Sequence, residues 1–291
     1  MLTDFVHMLI ARESDGVVPV VHLLGGPFVS YRGRCMEVPE GSKRLLVFVA
    51  LHRGRVERRY AAGALWPVGD DIRAAGNLRS ALWRLNGIGI RLLNIDKHGL
   101  AMCDDVLVDL HMVRAWATRL IQGSASGEDL EIIPSGVDAI DLLPGWYDDW
   151  ALIERERVRQ RLLHALEALS RQLAQTGRCA EAVDAAMVAI TAEPLRESAQ
   201  RVLIEAHLAE GNWIEGRRSF EAYKDLLDRE LGIQPDPELA SMVVRSARPW
   251  ISAGSSGVGG RISSKPLDIP GRDARYGRNQ VAAARPTPTV A

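Results

Sequence analysis

Four of the polar residues in the segment 73–86 are candidates for hydrogen bonds to the edges of DNA bases. Arginine binds guanine through two hydrogen bonds, while asparagine and serine can bind base edges or phosphate. Leucines recur at intervals of three and four residues in this segment, which predicts a helix with one buried face. The polar residues lie on the outward face or its flank, and an α-helix fits the major groove. The predicted base contacts are Arg73, Asn77, Ser80 and Arg84.

Basic residues lie at the starts of the two helices predicted before this segment and on the flank of the segment itself. Others lie before and within a turn predicted at 96–99. Such groups commonly bind the phosphate backbone and fix the position of a protein on the duplex without reading sequence. An ordinary solvated surface and a plain turn are the alternatives. The predicted phosphate contacts are Lys43, Arg44, Arg55, Arg58, Arg59, Arg79, Arg91 and Lys97.

Charge is divided unevenly along the chain. Residues 43–91 contain ten Lys/Arg against three Asp/Glu, a net of +7, whereas residues 128–243 contain twelve against 23, a net of −11. The whole chain of 291 residues sums to only −1. A compact basic block favours binding to a polyanion, with double-stranded DNA as the expected partner. A solvated charged surface would give the same count.

Short strands, three helices and a hairpin follow one another between residues 19 and 118, which is the order of a winged helix. Gly-rich turns separate the strands, and the period then changes from two to that of a helix. Ser42 is the expected N-cap of the first helix. The predicted elements are strands 20–24, 28–31 and 35–38, helices 42–52, 57–65 and 73–86, and hairpin strands 91–95 and 100–103.

The second half of the chain has helical periodicity. Gly177 and Gly211 fall 34 residues apart, each between two amphipathic segments, and this is the period of tetratricopeptide repeats. Two repeats need flanking helices as caps, for which 149–175 and the segment after Pro237 are the candidates. The fold class is thus mostly α with small antiparallel β elements. The predicted organisation is a loose leader at 1–18, a winged-helix domain at 19–118, a linker at 119–129, a helical domain at 130–246 and a disordered basic tail at 247–291.

Enzyme classes find little support in the sequence. Seven histidines are scattered without metal-ligand spacing, and no serine lies in a nucleophile elbow. The sequence therefore predicts neither catalysis nor a cofactor nor a metal site, and reads the acidic pairs as helix caps or solvated turns. Three distant cysteines suit a reducing compartment. With no membrane-length apolar run and no signal-peptide pattern, the expected location is the cytoplasm, without membrane contact.

Several motifs resemble those of one family. Val21-His-Leu-Leu-Gly-Gly-Pro-Phe, Gly41-Ser-Lys-Arg-Leu-Leu, Ala64-Leu-Trp-Pro and Asn77-Leu-Arg-Ser-Ala-Leu resemble the DNA-binding domain of SARP-type regulators of actinobacteria, a response-regulator (OmpR-type) winged helix. Asp141-Leu-Leu-Pro-Gly-Trp-Tyr-Asp-Asp-Trp, Glu193-Pro-Leu-Arg-Glu-Ser and Glu230-Leu-Gly-Ile-Gln-Pro-Asp-Pro-Glu resemble the bacterial transcriptional activator domain. The resemblance covers residues 19–245 in the family's order.

The resemblance implies a sequence-specific transcriptional activator that binds direct repeats at promoters and contacts RNA polymerase. It also implies that the activator domain supports polymerase contact or self-association, for example as a homodimer. Trp83 departs from the family pattern, and we expect it to pack against the hairpin rather than touch DNA. The competing interpretation is a tetratricopeptide-type interaction module whose winged helix docks a protein instead of DNA.

Overall fold

The computed structural model describes residues 4–13, 17–136 and 141–246. The predicted disordered tail lies outside these residues. In chain order the described elements are α1 (Asp4–Glu13), β1 (Val20–His22), β2 (Phe28–Tyr31), β3 (Arg34–Met36), α2 (Glu40–Leu51), β4 (Val56–Glu57), α3 (Arg58–Leu65), α4 (Asp71–Asn86), β5 (Leu93–Ile95), β6 (Gly99–Met102), β7 (Leu107–Val108), α5 (Asp109–Ile121), a 3-10 helix (Glu128–Glu131), α6 (Asp149–Gln175), α7 (Cys179–Ala192), α8 (Glu197–Ala209), α9 (Trp213–Leu231) and α10 (Pro237–Ser246).

The first strands form a four-stranded sheet of order β3-β2-β1-β7. Strands β1 to β3 are antiparallel, as predicted, and β7 adds in parallel beside β1. Arg32 and Gly33 join β2 to β3 with φ angles of 51° and 72°. Positive φ at both positions is what a tight two-residue hairpin turn needs, and glycine adopts it without steric cost.

Helices α2, α3 and α4 and a three-stranded wing complete the winged helix, which confirms the predicted fold class. In the wing β6 pairs with β5 and also with β4, a two-residue strand that the sequence pattern did not predict. The predicted capping role of Ser42 is wrong, because α2 begins at Glu40 after Pro39. Ser42 is buried, and its hydroxyl donates to the Ala81 carbonyl at 2.8 Å. This bond holds α2 against α4.

A buried carboxylate joins the first sheet to α5. Asp109 accepts hydrogen bonds from the backbone N–H groups of Leu23, Leu24 and Leu110 at 2.6–3.1 Å. Burial raises the pKa of Asp109 to about 7, even though these three donors act in the opposite direction. The start of α5 is therefore fixed to the end of β1 by a single side chain.

The segments expected to be a loose leader and a linker are instead packed together. Residues 4–13 form α1, whose Phe5 ring meets the Trp116 ring of α5 edge-on at 5.1 Å. Asp129 in the 3-10 helix is 1% exposed and accepts hydrogen bonds from Arg12 at 3.2 Å and from Arg119 at 2.8 and 2.9 Å. The prediction of a loose leader was wrong for residues 4–13, because three buried apolar residues of α1 cover α5.

The second half is an array of antiparallel helices, which confirms the tetratricopeptide-like prediction. Gly177 and Gly211, with φ of 80° and 82°, lie in the turns between α6 and α7 and between α8 and α9. Four alanines of α7 are buried where the helices approach one another closely. Leu239 and Val243 of α10 pack in a cluster with residues of α8 and α9, so α10 closes the array as expected.

Helix α6 also packs along the winged helix. Its Trp150 ring meets the Phe48 ring of α2 at 5.4 Å and 88°, and its Gln172 donates to the Leu120 carbonyl of α5 at 2.9 Å. Asp148 precedes α6, but its carboxylate forms an ion pair with Arg44 rather than the predicted cap. Across the described residues, no helix is both long and apolar enough to cross a membrane.

Candidate nucleic-acid interface

Helix α4 is held firmly at its start and along one face. The Asp70 carboxylate accepts the backbone N–H of Arg73 at 2.7 Å, which caps the helix. Gly69, with φ of 115°, turns the chain into this cap. The buried face is formed by the residues of the predicted apolar stripe, Ala74, Leu78, Ala81, Leu82 and Leu85. The opposite face is consequently presented to solvent.

The structure places three of the four predicted base contacts on this accessible side. Arg73 and Ser80 are exposed, and Asn77 is half-buried. The guanidinium of Arg73 makes no hydrogen bond or ion pair with any described residue. Arg84 is exposed too, but it leans over the start of α2, where Nη2 donates to the Gly41 carbonyl at 3.4 Å. The long and weak geometry of this bond leaves Arg84 able to reach another acceptor.

Trp83 does not pack against the wing. Its side chain is 77% exposed, so the expectation that it would be covered by the hairpin was wrong. Position 83 falls outside the buried stripe of α4, so its side chain is directed away from the core. A large exposed ring on this face can meet a sugar, a base or a protein partner.

A cleft of about 430 Å³ lies between α3, α4 and the wing, and it gathers four of the predicted phosphate contacts: Arg58, Arg59, Arg79 and Lys97. The one carboxylate that lines it, Asp71, pairs with Arg59 at 3.1 Å. Arg79 and Lys97 are exposed and have no hydrogen-bond or ion-pair partner among the described residues. The cleft therefore carries an excess of positive charge that can receive phosphate oxygens.

The wing tip is organised around Asp96. Its carboxylate accepts the backbone N–H groups of His98 at 2.7 Å and Gly99 at 2.9 Å, and these bonds lower the pKa of Asp96. Arg55 pairs with the same carboxylate at 2.5 Å, while Arg58 donates to the Asp96 carbonyl at 3.2 Å. This arrangement fixes the turn that presents Lys97.

Three other predicted phosphate contacts lie apart from the cleft and already have partners. Lys43 pairs with Glu40 at 2.5 Å, Arg44 pairs with Asp148, and Arg91 donates to Asn94 at 2.8 Å. Arg44 is thus used between the winged helix and the helical half.

An apolar residue that the sequence pattern did not indicate also lies at this surface. Ile72 lies in the first turn of α4, is 79% exposed and lines the cleft. Its sequence signal was an isoleucine outside the leucine stripe, where a helix normally carries a polar residue. Apolar side chains in this setting can contact a thymine methyl group. Within the described part of the chain no cluster of His, Cys, Asp or Glu could hold a metal ion.

Comparisons with known proteins support this architecture. Residues 135–245 match the family model of the bacterial transcriptional activator domain. The structure of EmbR from Mycobacterium tuberculosis, solved in complex with a low-affinity phosphopeptide, is similar with a TM-score of 0.61 and 19% sequence identity. The aligned residues cover 79% of this chain and 65% of the EmbR chain. No curated protein matches the sequence.

The two matches support different parts of the sequence interpretation. The family model covers most of the helical half, and the EmbR structure shares the fold, from the small sheets to the helical array. Residues 135–245 are therefore similar to the bacterial transcriptional activator domain, and the predicted resemblance to the SARP-type regulators is confirmed for this domain and for the fold.

Proposed function

We propose that the chain is a transcriptional activator that binds double-stranded DNA through α4 and the wing. One observation carries the proposal: Arg73, Arg79 and Lys97 are exposed around α4 and have no counter-charge or hydrogen-bond partner among the described residues. Unpaired basic groups on a helix that can enter the major groove are suited to phosphate and base edges.

In this proposal the contacts divide into two classes. Arg73, Asn77 and Ser80 bind bases from the accessible face of α4, and Arg84 joins them after releasing the Gly41 carbonyl. Phosphates bind in the cleft and at the wing tip. Base contacts then determine sequence preference, whereas phosphate contacts supply affinity that depends on salt. The phosphate contacts ranked first are those that line the cleft: Arg58, Arg59, Arg79 and Lys97.

The activator domain supports the remainder of the proposal. Its presence favours contact with RNA polymerase at promoters that carry direct repeats, and its net negative charge keeps it away from the duplex. We place this action in the cytoplasm and assign no catalytic step to the chain. A homodimer stays a prediction of the sequence resemblance.

Fluorescence anisotropy with the upstream region of the protein's own gene tests DNA binding. Affinity should fall steeply as salt is raised from about 50 to 200 mM, because bound phosphates release counterions. Arg79→Ala should weaken binding equally on all sequences and reduce the salt slope by about one. Arg217→Ala on α9, also an exposed arginine, is the control and should change neither. Absence of binding at low salt would refute the DNA proposal.

Protein docking is the second candidate, and the exposed Trp83 favours it. Trp83 lines a shallow surface with Pro39 and Ile88. Trp83→Ala separates the candidates, since a docking surface would lose its partner while DNA affinity stayed unchanged. A loss of DNA affinity in this variant would place the ring at the duplex instead.

A further inference from the structure

A groove of about 1250 Å³ separates the winged helix from the activator domain. Helices α2, α3 and α5 form one wall and α6 forms the other, so a ligand that spans the groove touches both halves of the chain. Sites for drug-sized ligands occupy about 300–1,000 Å³. The groove is therefore large enough for a small molecule and is distinct from the surface of α4.

Aromatic and aliphatic side chains form the floor of this groove. Phe48 lies at the centre, with the Trp150 ring at 5.4 Å and the Tyr60 ring at 5.7 Å. Tyr60 and Ile153 also line the groove and remain more than half exposed. A planar ring placed here would cover this exposed apolar surface and stack against Tyr60 or Trp150.

The rim of the groove carries more positive than negative charge. Its arginines are Arg53, Arg114, Arg157 and Arg161, and its carboxylates are Glu154 and Glu156. Glu154 forms ion pairs with two arginines, Arg114 and, at 3.3 Å, Arg157. Glu156 lies 3.6 Å from Arg159, which is outside the groove lining, and accepts from Gln160 at 2.8 Å. The groove carboxylates are thus already engaged.

Two of these arginines have only neutral acceptors. Arg53 donates to the His111 carbonyl at 3.3 Å, and Arg161 donates to the Thr118 hydroxyl at 2.6 Å. Neither pairs with a carboxylate of the described chain. Burial, followed by repulsion from Arg53, Arg161 and Arg157, lowers the pKa of Arg114 to about 10. An anion in the groove would relieve this repulsion.

We propose that the groove binds a small planar aromatic anion, with its rings against Tyr60, Trp150 and Ile153 and its anionic group beside Arg53 and Arg161. Aromatic carboxylates and sulfonates are the ligand class that combines these features. Because such a ligand bridges α2 and α3 to α6, its binding would restrain the winged helix relative to the activator domain. Ligand binding in this groove does not depend on DNA binding, so an experiment can refute either proposal without refuting the other.

Fluorescence titration of the full chain with 8-anilinonaphthalene-1-sulfonate tests the proposal, since the dye is an aromatic sulfonate with a planar naphthalene ring. We expect one dye to bind per chain, and Arg53→Gln with Arg161→Gln to weaken binding about tenfold through loss of charge-assisted contacts. The matched control replaces two exposed arginines of α9, Arg217→Gln with Arg218→Gln, and should leave the affinity unchanged. N-phenyl-1-naphthylamine, the uncharged analogue, should bind more weakly and should not respond to either pair of substitutions.

A second variant acts from the apolar side. Ile153→Asp places a carboxylate at an exposed position of the floor, so it should abolish dye binding without affecting folding, which circular dichroism and thermal melting would check. Unchanged dye affinity in Ile153→Asp or in the Arg53/Arg161 variant would overturn the proposal, because the dye would then bind elsewhere. Equal affinity for the uncharged analogue would overturn the preference for anions.

Discussion

Arginine side chains occupy two contrasting surroundings in this molecule. Around α4, Arg73 and Arg79 extend into solvent and meet no carboxylate of the described chain. At the 3-10 helix, Arg12 and Arg119 converge on one carboxylate, Asp129, whose side chain is 1% exposed. The guanidinium groups around α4 are available to bind a partner, whereas those at the 3-10 helix stabilise the fold.

The contrast follows from hydration. An exposed guanidinium keeps its water shell and costs the folded state little, so a binding surface can retain such groups without being destabilised. A buried carboxylate loses its hydration and has to be offset by hydrogen bonds and positive charge. Mutations in the two regions should therefore separate stability from DNA binding.

Asp129→Ala should give the largest effect. We expect it to lower the free energy of unfolding by about 3 kcal/mol, the low end for a broken buried pair, because both arginines can reach water. The neighbouring Glu128→Ala removes an exposed partner of Arg12 at 2.6 Å and should cost less than about 1 kcal/mol. Urea unfolding measures both values. Equal losses in the two variants would contradict the role given to burial, and DNA affinity of the folded fraction should be unchanged in each.

Acid should remove the same stabilisation. The hydrogen bonds from Arg119, with help from Ser126, hold the pKa of Asp129 well below its usual range. Because the pKa of Asp129 is lower in the folded chain than in the unfolded chain, its contribution to stability is complete above the unfolded pKa of about 3.9. This contribution is lost as the pH falls below that pKa. The difference in unfolding free energy between the wild type and Asp129→Ala should thus shrink between pH 5 and pH 2. A constant difference would show that the Asp129 charge contributes nothing.

Arg73→Ala should show the opposite pattern to Asp129→Ala. DNA binding should weaken by about 1–3 kcal/mol with relaxed preference at one base pair, while the unfolding free energy stays unchanged. Anisotropy titrations on a set of single-base variants of the bound sequence would measure this. A loss that is equal on every sequence would assign Arg73 to phosphate instead.

Arg84→Ala should have the smallest effect, because Arg84 must first leave the Gly41 carbonyl. We expect a loss of about 1 kcal/mol in DNA binding, again with relaxed preference at one base pair. The same titrations test it. A loss greater than that of Arg73→Ala would show that Arg84 is a principal contact and that its contact with α2 is broken on binding.

Periodic signals made part of this structure predictable. The leucines of α4 and the 34-residue spacing of Gly177 and Gly211 predicted which helix presents a polar face and where the helical array turns. Contacts between distant segments were not predictable in the same way. Asp129 and Arg12 are 117 residues apart, and neither has a local pattern that identifies the other. Ser42 similarly looked like a helix cap because its partner, Ala81, belongs to another helix.

The residue types of the candidate site could be predicted from the sequence, but the positions of these residues relative to one another could not. Basic residues near α4 were evident from composition, but only the structure separates those that line the cleft from Arg44, which pairs with the activator domain. The exposure of Trp83 depends on which other elements cover that face of α4, and no helical pattern within α4 encodes this.

The packing of α1 on α5 has a consequence for the order of folding during synthesis. Helix α1 leaves the ribosome before α5, and its partners Trp116 and Asp129 are made more than a hundred residues later. At about 5–20 residues per second, the 117 residues between Arg12 and Asp129 take about 6–23 s to translate. During that interval the apolar side of α1 has no native partner and is open to chaperones. The packing of α1 is therefore completed only after translation has passed the 3-10 helix.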